Sequence, residues 1–236
     1  RQLYGGDKKT MIEQLKSSVS FSDAEAILFD LDGTLVDSAP DLGLAANKMR
    51  MDRSLAPLPL LSYRPFVGTG ARGMILVAFD LTERSAGFDA LKEEFFSNYQ
   101  QVLTKQTALF EGVQAVIDAI IHRGLKWGVV TNKSARFTTP LTQTMAIFAS
   151  AGTIVCGDTT PHAKPHPAPL LFAAAELDVA PHRCLYVGDD ERDIAAGKAA
   201  GMATVTAAYG YLGPNVDHRH WAADATIEMP LDLLPL

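Results

Sequence analysis

The chain has 236 residues, of which 47% are hydrophobic, 8% aromatic and 20% charged. That length and composition allow a buried core, in one domain with an insertion or in two small domains, and exclude a disordered or low-complexity chain. Lys and Arg number 21 against 27 Asp and Glu, a formal net charge of −6, which argues against a nucleic-acid partner, and no apolar run reaches the roughly 20 residues of a membrane span.

Residues 1–24 are polar, with Gly5-Gly6-Asp7-Lys8-Lys9 and then Ser17, Ser18, Ser20 and Ser22. They lack the apolar centre of a signal peptide and read as an N-terminal extension outside the chemistry. Residues 26–31 form a short apolar run that stops at Asp30, Asp32, Gly33 and Thr34, the pattern of a buried strand with a polar end. Residues 39–105 change character. They carry Leu, Ala, Met and Phe at helical spacing, broken by Pro57, Pro59 and Pro65 and by Gly68, Gly70 and Gly73. Leu91, Phe95, Phe96, Tyr99 and Val102 recur every three or four residues, as on one helix face.

From residue 110 strands and helices alternate. Helices are expected over 112–123, 140–148, 167–177 and 190–200, with Gly124 and Gly201 as stops. Strands are expected over 126–131, 153–156, 184–187 and 203–206. This alternation predicts an α/β fold, a parallel sheet with helices on both faces. The core would comprise residues 25–38 and 106–236, with 39–105 inserted as a small helical unit. Cys156 and Cys184 fall in apolar strands and are expected as free core thiols, consistent with a reducing cytoplasm.

Ligands of open α/β sheets bind beyond the carboxyl ends of the strands. Asp30 and Asp32, Thr131 and Asn132, and Asp189, Asp190 and Asp193 each follow a predicted strand, and Lys164 lies in the loop after another. Crowded carboxylates raise one another's pKa unless a cation neutralises them, and all-oxygen ligation suits Mg²⁺. Asp30, the carbonyl of Asp32 and Asp189 would suffice as protein ligands. Gly33 allows a turn and a close approach of backbone N–H groups to an anion. Thr131, Asn132 and Lys164 add donors suited to a phosphoryl group. His162 and His166 are four residues apart, but prolines at 161, 165 and 167 forbid the helix that would join them on a metal.

The segment 29–38, Phe-Asp-Leu-Asp-Gly-Thr-Leu-Val-Asp-Ser, resembles the first motif of the haloacid dehalogenase superfamily, DxDGT. Residues 129–132 resemble its second motif, Lys164-Pro165 its third and residues 187–193 its fourth, in the expected order. The resemblance implies a Rossmann-like core with a helical cap inserted after the first strand, closing over the site at hinges near 38–40 and 105–110. It implies that Asp30 attacks phosphorus and that Asp32 is the acid and base. Thr131, Asn132, Gly33 and Lys164 would hold the phosphoryl oxygens, and Asp189 a magnesium ion, supported by Asp190 or Asp193. Arg72 and Gly70, in the glycine-rich cap loop, would contact the substrate.

Within the superfamily the chain is similar to bacterial phosphoglycolate phosphatases and, over residues 127–137, 188–193, 209–211 and 219–224, to N-acetylmuramic acid 6-phosphate phosphatases. His166 departs from both groups, which usually carry an acidic or amide residue there. The implied activity is a Mg²⁺-dependent phosphatase acting on a small phosphorylated metabolite, first 2-phosphoglycolate, alternatively N-acetylmuramic acid 6-phosphate. A phosphosugar mutase and a catalytically silent binding module are the other readings, in a monomer or homodimer.

Overall fold

The computed structural model describes residues 23–236; the expected extension over 1–24 lies almost wholly outside them. Six strands form one parallel sheet: β1 (Ala26–Phe29), β4 (Lys126–Val130), β5 (Thr153–Val155), β6 (Cys184–Gly188), β7 (Ala203–Ala207) and β8 (Ala225–Ile227), in the order β5-β4-β1-β6-β7-β8. β1 is central, with Phe29 beside Val129 on one side and Val187 on the other. The chain fills one half of the sheet, then crosses β1 to build the other, so the crevice opens at the carboxyl ends of β1, β4 and β6.

The strands lack polar alternation because both faces are covered. Ile27 and Phe29 enter one apolar cluster with Trp127, Val129, Leu185 and Val187, while Ala26 and Leu28 enter another with Val130, Tyr186, Leu170 and Ala196. Helix α5 (Val113–His122) buries Val113, Val116, Ile117 and Ile120 against the first face. Helices α7 (Ala168–Glu176) and α8 (Glu191–Ala199) cover the second.

Between β1 and β4 lies the helical insertion: α1 (Ala39–Met51), α2 (Leu60–Tyr63), a 3-10 turn over Arg64–Thr69, α3 (Ala71–Phe79) and α4 (Phe88–Val102). A two-stranded antiparallel ribbon, β2 (Val36–Asp37) with β3 (Ala108–Leu109), ties its entry to its exit. Asp41 fastens the same junction: its buried carboxylate accepts the N–H groups of Gln106 and Thr107 and the hydroxyl of Thr107 at 2.7–3.0 Å.

Helix α6 and the shortest strands differ from the sequence expectation. Helix α6 runs over Ala135–Thr144 and ends where 140–148 was to be mid-helix; Ala146–Ser150 is a separate 3-10 turn. Pro140 lies inside the helix and Ser134 starts it, its carbonyl taking the N–H groups of Phe137 and Thr138 while Phe137 and Leu141 anchor one buried face. The ribbon β2–β3 and the three-residue β8 are too short to show a period in sequence.

Candidate active site

The strand ends converge on one cavity of about 350 Å³, whose floor includes Asp30, Asp32, Thr131, Lys164, Asp189 and Asp193. Asp30 continues β1, its N–H donating to the Val187 carbonyl at 2.9 Å. Lys164, only 4% exposed, reaches under it from the loop before α7. Its ammonium donates to Asp30 Oδ1 at 3.0 Å, Asp193 Oδ1 at 2.7 Å, the Tyr186 hydroxyl at 2.7 Å and the Val130 carbonyl at 2.8 Å. An ammonium taken so far from water needs this set of partners.

Asp30, Asp189 and Asp193 each offer a carboxylate oxygen within 4.8 Å of the others'. Burial, then the nearby Asp193 charge, push Asp30 up to about 7, with Lys164 pulling the other way. Asp189 is raised well above the carboxylate range by burial and by Asp30 and Asp193. One lysine does not neutralise three clustered carboxylates, and an all-oxygen donor set of this kind fits a hard divalent cation such as Mg²⁺.

The backbone around Asp189 is built for close approach. Gly33 has φ +87°, and a Cβ there would lie 2.1 Å from Asp189 Oδ2; a Cβ on Gly210 would lie 2.3 Å from Asp189 Cβ. Thr34 Oγ1 donates to Asp189 Oδ1 at 3.1 Å and Tyr211 N–H to Oδ2 at 2.8 Å. The Gly33 N–H itself is committed to the Val36 carbonyl at 2.9 Å, so the position supplies room for Asp189 and not the anion donor expected of it.

Asn132 lines the cavity and also has a structural task. Its side-chain amide donates to the Lys164 carbonyl and its oxygen accepts the Lys164 N–H, both at 2.9 Å, so it clamps the lysine loop. Thr131 lines the cavity, its hydroxyl accepting the Lys133 N–H at 3.1 Å. Asp193 serves Lys164 through one oxygen and, through the other, accepts the Asp190 N–H at 3.0 Å in the capping box of α8. Asp190 is outside the carboxylate cluster, because Arg192 engages both its oxygens at 2.7 and 2.9 Å. That ion pair holds the Asp190 carboxyl below its usual range against the opposing effect of burial. Asp32 turns its carboxylate to Lys133 Nζ, at 3.0 and 3.2 Å, and to the Ser38 hydroxyl.

The insertion supplies the opposite wall with Leu42, Val67, Gly70, Phe95, Phe96 and Tyr99. Gly70 has φ +61° and open space where a Cβ would sit. Arg72, expected at the substrate, does not line the cavity: it points outward, 53% exposed, towards Glu83 at 3.5 Å. Three residues that the sequence reading did not single out do reach the site. Lys133 pairs with Asp32. Arg192 crosses to the Gly68 carbonyl at 2.6 Å. The Tyr211 hydroxyl receives the N–H groups of Ser38 and Ala39 at 2.9 and 3.0 Å and donates to Asp37. Their nearness to motif residues is visible in sequence; the direction of such long side chains is not. The His162 and His166 rings lie 4.4 Å apart, tilted by 33°, and His166 Nδ1 accepts the Ala168 N–H at 3.1 Å, a role an acidic or amide side chain could also fill.

Residues 27–207 match the haloacid dehalogenase-like hydrolase family. The chain is 39% identical to N-acetylmuramic acid 6-phosphate phosphatase of Pseudomonas aeruginosa, over 89% of this chain and 93% of that protein. It is 42% identical to phosphoglycolate phosphatase of Xanthomonas campestris pv. campestris, over 88% and 94%. In structure it is similar to a predicted phosphoglycolate phosphatase from Haemophilus somnus, with a TM-score of 0.79, 31% identity and coverage of 90% and 97%. The sheet order, the carboxylate cluster around Lys164 and these matches agree, and the chain belongs to the haloacid dehalogenase-like hydrolase family.

Proposed function

We propose that this hydrolase is a magnesium-dependent phosphomonoesterase working through an aspartyl-phosphate on Asp30, with 2-phosphoglycolate as its first substrate. The observation that carries the reading is Asp30 itself: a largely buried carboxylate, fixed by Lys164 at 3.0 Å and grouped with Asp189 and Asp193, at the floor of the cavity. The names of the Xanthomonas and Pseudomonas relatives support phosphate ester cleavage.

In this reading an Asp30 oxygen attacks phosphorus and the ester P–O bond breaks. Asp32 gives its proton to the leaving oxygen, then takes one from the water that attacks the aspartyl-phosphate, freeing inorganic phosphate and restoring Asp30. Lys164 faces the negative charge of the phosphoryl oxygens, Thr131 offers its hydroxyl, and Asn132 and Asp193 hold Lys164 in place. Asp30 and Asp189, with Asp193 beside them, would hold the magnesium ion, which supplies positive charge for the carboxylates and the phosphate alike. Residues 39–105 act as a lid on the core of 25–38 and 106–236, hinged near 38–40 and 105–110, and keep water from the intermediate. A cytoplasmic setting goes with Cys156 and Cys184 as buried free thiols.

One observation favours the amino-sugar phosphate as a second substrate reading. 2-Phosphoglycolate fills only a fraction of about 350 Å³, and the wall away from Asp30 is apolar and aromatic, as a ring face with N-acetyl and lactyl groups would require. The test is kcat/KM for both compounds with Mg²⁺. A preference of about a hundredfold, about 2.7 kcal/mol of transition-state binding, assigns the substrate. Inorganic phosphate in stoichiometric yield separates hydrolysis from mutase chemistry.

A further inference from the structure

Lys133 is an expensive residue to place where it is. Its side chain is only 9% exposed, and burial alone would lower its pKa; the Asp32 charge and the Tyr99 hydroxyl more than reverse that. No sequence motif of the catalytic set requires it. Its ammonium joins three separately placed pieces of chain. It donates to both Asp32 oxygens at 3.0 and 3.2 Å, on the loop after β1. It donates to the Tyr99 hydroxyl at 2.7 Å and lies 4.8 Å from that ring's centroid, on helix α4 of the insertion. It is itself carried by the loop after β4, where its N–H is pinned to Thr131 Oγ1.

Tyr99 is correspondingly held by the insertion and by the core. Its ring stacks on Phe95, centroids 6.1 Å apart, and meets Phe137 of α6 at 5.2 Å. The second support of Asp32 is the Ser38 hydroxyl, at the entry to the insertion. Both side-chain partners of the Asp32 carboxylate are therefore tied to where the insertion sits relative to the sheet.

Resting on the phosphatase reading above, we propose that Lys133 is a positioning residue for Asp32, and that Tyr99 makes its placement depend on docking of helix α4 over the cavity. With α4 docked, the Lys133 ammonium is held between Tyr99 and Asp32, and the acid points at one place. With α4 lifted, the ammonium loses its hydroxyl partner and Asp32 loses its fixed orientation. Proton transfer is then restricted to the closed state, where water is excluded.

The experiment compares wild type, Lys133→Met, Lys133→Arg and Tyr99→Phe on two probes, p-nitrophenyl phosphate, with a good leaving group, and phenyl phosphate, with a poor one. The quantity read is kcat/KM with Mg²⁺, which reports transfer to Asp30, and the melting temperature is taken alongside. Loss of an aligned acid hurts the poor leaving group far more than the good one. Lys133→Met is expected to lower kcat/KM for phenyl phosphate about a hundredfold and for p-nitrophenyl phosphate less than about tenfold. Lys133→Arg is expected to recover part of this, and Tyr99→Phe, which keeps the ring, to show the same bias at about threefold to tenfold. Equal losses on both probes, or a change in KM alone, would overturn the proposal, since a packing or substrate-binding role predicts those patterns. If Lys133→Met does not fold, the bias in Tyr99→Phe and Lys133→Arg decides. A wild type inactive on both probes and on the two candidate substrates would bring down the phosphatase reading first, and this proposal with it.

Discussion

The two walls of the cavity divide the chemistry between them. Every charged group that lines it, Asp30, Asp32, Lys133, Lys164, Asp189, Asp190, Arg192 and Asp193, comes from the loops beyond the strand ends or from the first turn of α8. The helical insertion contributes none among the described residues; its share is Leu42, Pro65, Val67, Phe95, Phe96, Tyr99 and the Gly68–Ala71 loop. The strand-end charges hold one another, as in the four bonds of Lys164, and were paid for in burial; the insertion side is apolar surface with few hydrogen-bonding obligations. The division teaches where each kind of change should register. Substitutions on the sheet side should act on the chemical step and on stability together, and those on the insertion side on which molecule is accepted.

The largest effects belong to the floor. Asp30→Asn keeps the shape and a hydrogen-bond acceptor for Lys164 but removes the nucleophile. Phosphate release should fall by about 10⁴-fold or more, with the melting temperature little changed. Unaltered turnover in that variant would exclude an aspartyl-phosphate on Asp30. Lys164→Met should lower kcat by about 10³-fold and also destabilise the chain by about 3–5 kcal/mol, because Asp30 and Asp193 are left buried with no cation between them. Chemical denaturation separates that second loss from the first.

Next in size is the coupling of pH to magnesium. In the metal-free chain Asp30 is pushed up to about 7, by burial first, and Asp189 is raised as well. A carboxyl raised on folding favours the folded state while it is protonated. Its contribution is present below the ordinary carboxylate range and is lost as pH rises towards about 7. The metal-free protein should therefore lose stability between about pH 4 and 7. Added Mg²⁺ should matter little at the acid end and raise the melting point by about 5–10 °C at pH 8, the equivalent of about 2.7 kcal/mol at a hundredfold excess over Kd. A magnesium effect independent of pH would detach the metal from these carboxylates.

How much of this was legible in the sequence follows the same division. Asp30, Thr131 and Asp189 could be placed because a short apolar strand ending in polar residues fixes where its last side chains go, and Lys164 because the loop after β5 returns to the same end of the sheet. The helical character of the insertion was legible from Phe95, Phe96 and Tyr99 at helical spacing, but not that these rings face the cavity and that Phe96 and Tyr99 meet Phe137 of α6. Direction was the missing quantity elsewhere. Asn132 reads as a phosphate donor, and that its amide also closes on the Lys164 backbone is not visible in sequence. Lys133, one residue further, has no role assigned in sequence, because its partners Asp32 and Tyr99 come to it from residues far apart in the chain. Pro140 was overruled by Ser134, Phe137 and Leu141, whose tertiary packing decides where α6 begins.

The smallest predicted effects concern the two arginines near the glycine loop, and they test the division most directly. Arg192 belongs to the sheet side, on α8, yet its guanidinium crosses the cavity mouth to the Gly68 carbonyl at 2.6 Å while gripping Asp190. Arg192→Met should free the Gly68–Gly70 loop and leave Asp190 without its cation. The expected result is a rise in KM of about tenfold with kcat within about threefold, the mark of lost binding and not of lost chemistry. Arg72 lies inside the insertion but faces solvent, paired only loosely with Glu83 at 3.5 Å, in a kind of exposed contact that contributes about 0–1 kcal/mol. Arg72→Ala should leave kcat and KM within about twofold for 2-phosphoglycolate and for the amino-sugar phosphate alike. A large KM increase at Arg72, with Arg192→Met silent, would mean that the insertion does bring a cation to the substrate. The insertion would then have to sit closer to the sheet than it does here, turning Arg72 inward past Gly70, and the separation of a charged floor from an apolar roof would hold only for the state in which Glu83 keeps the arginine outside.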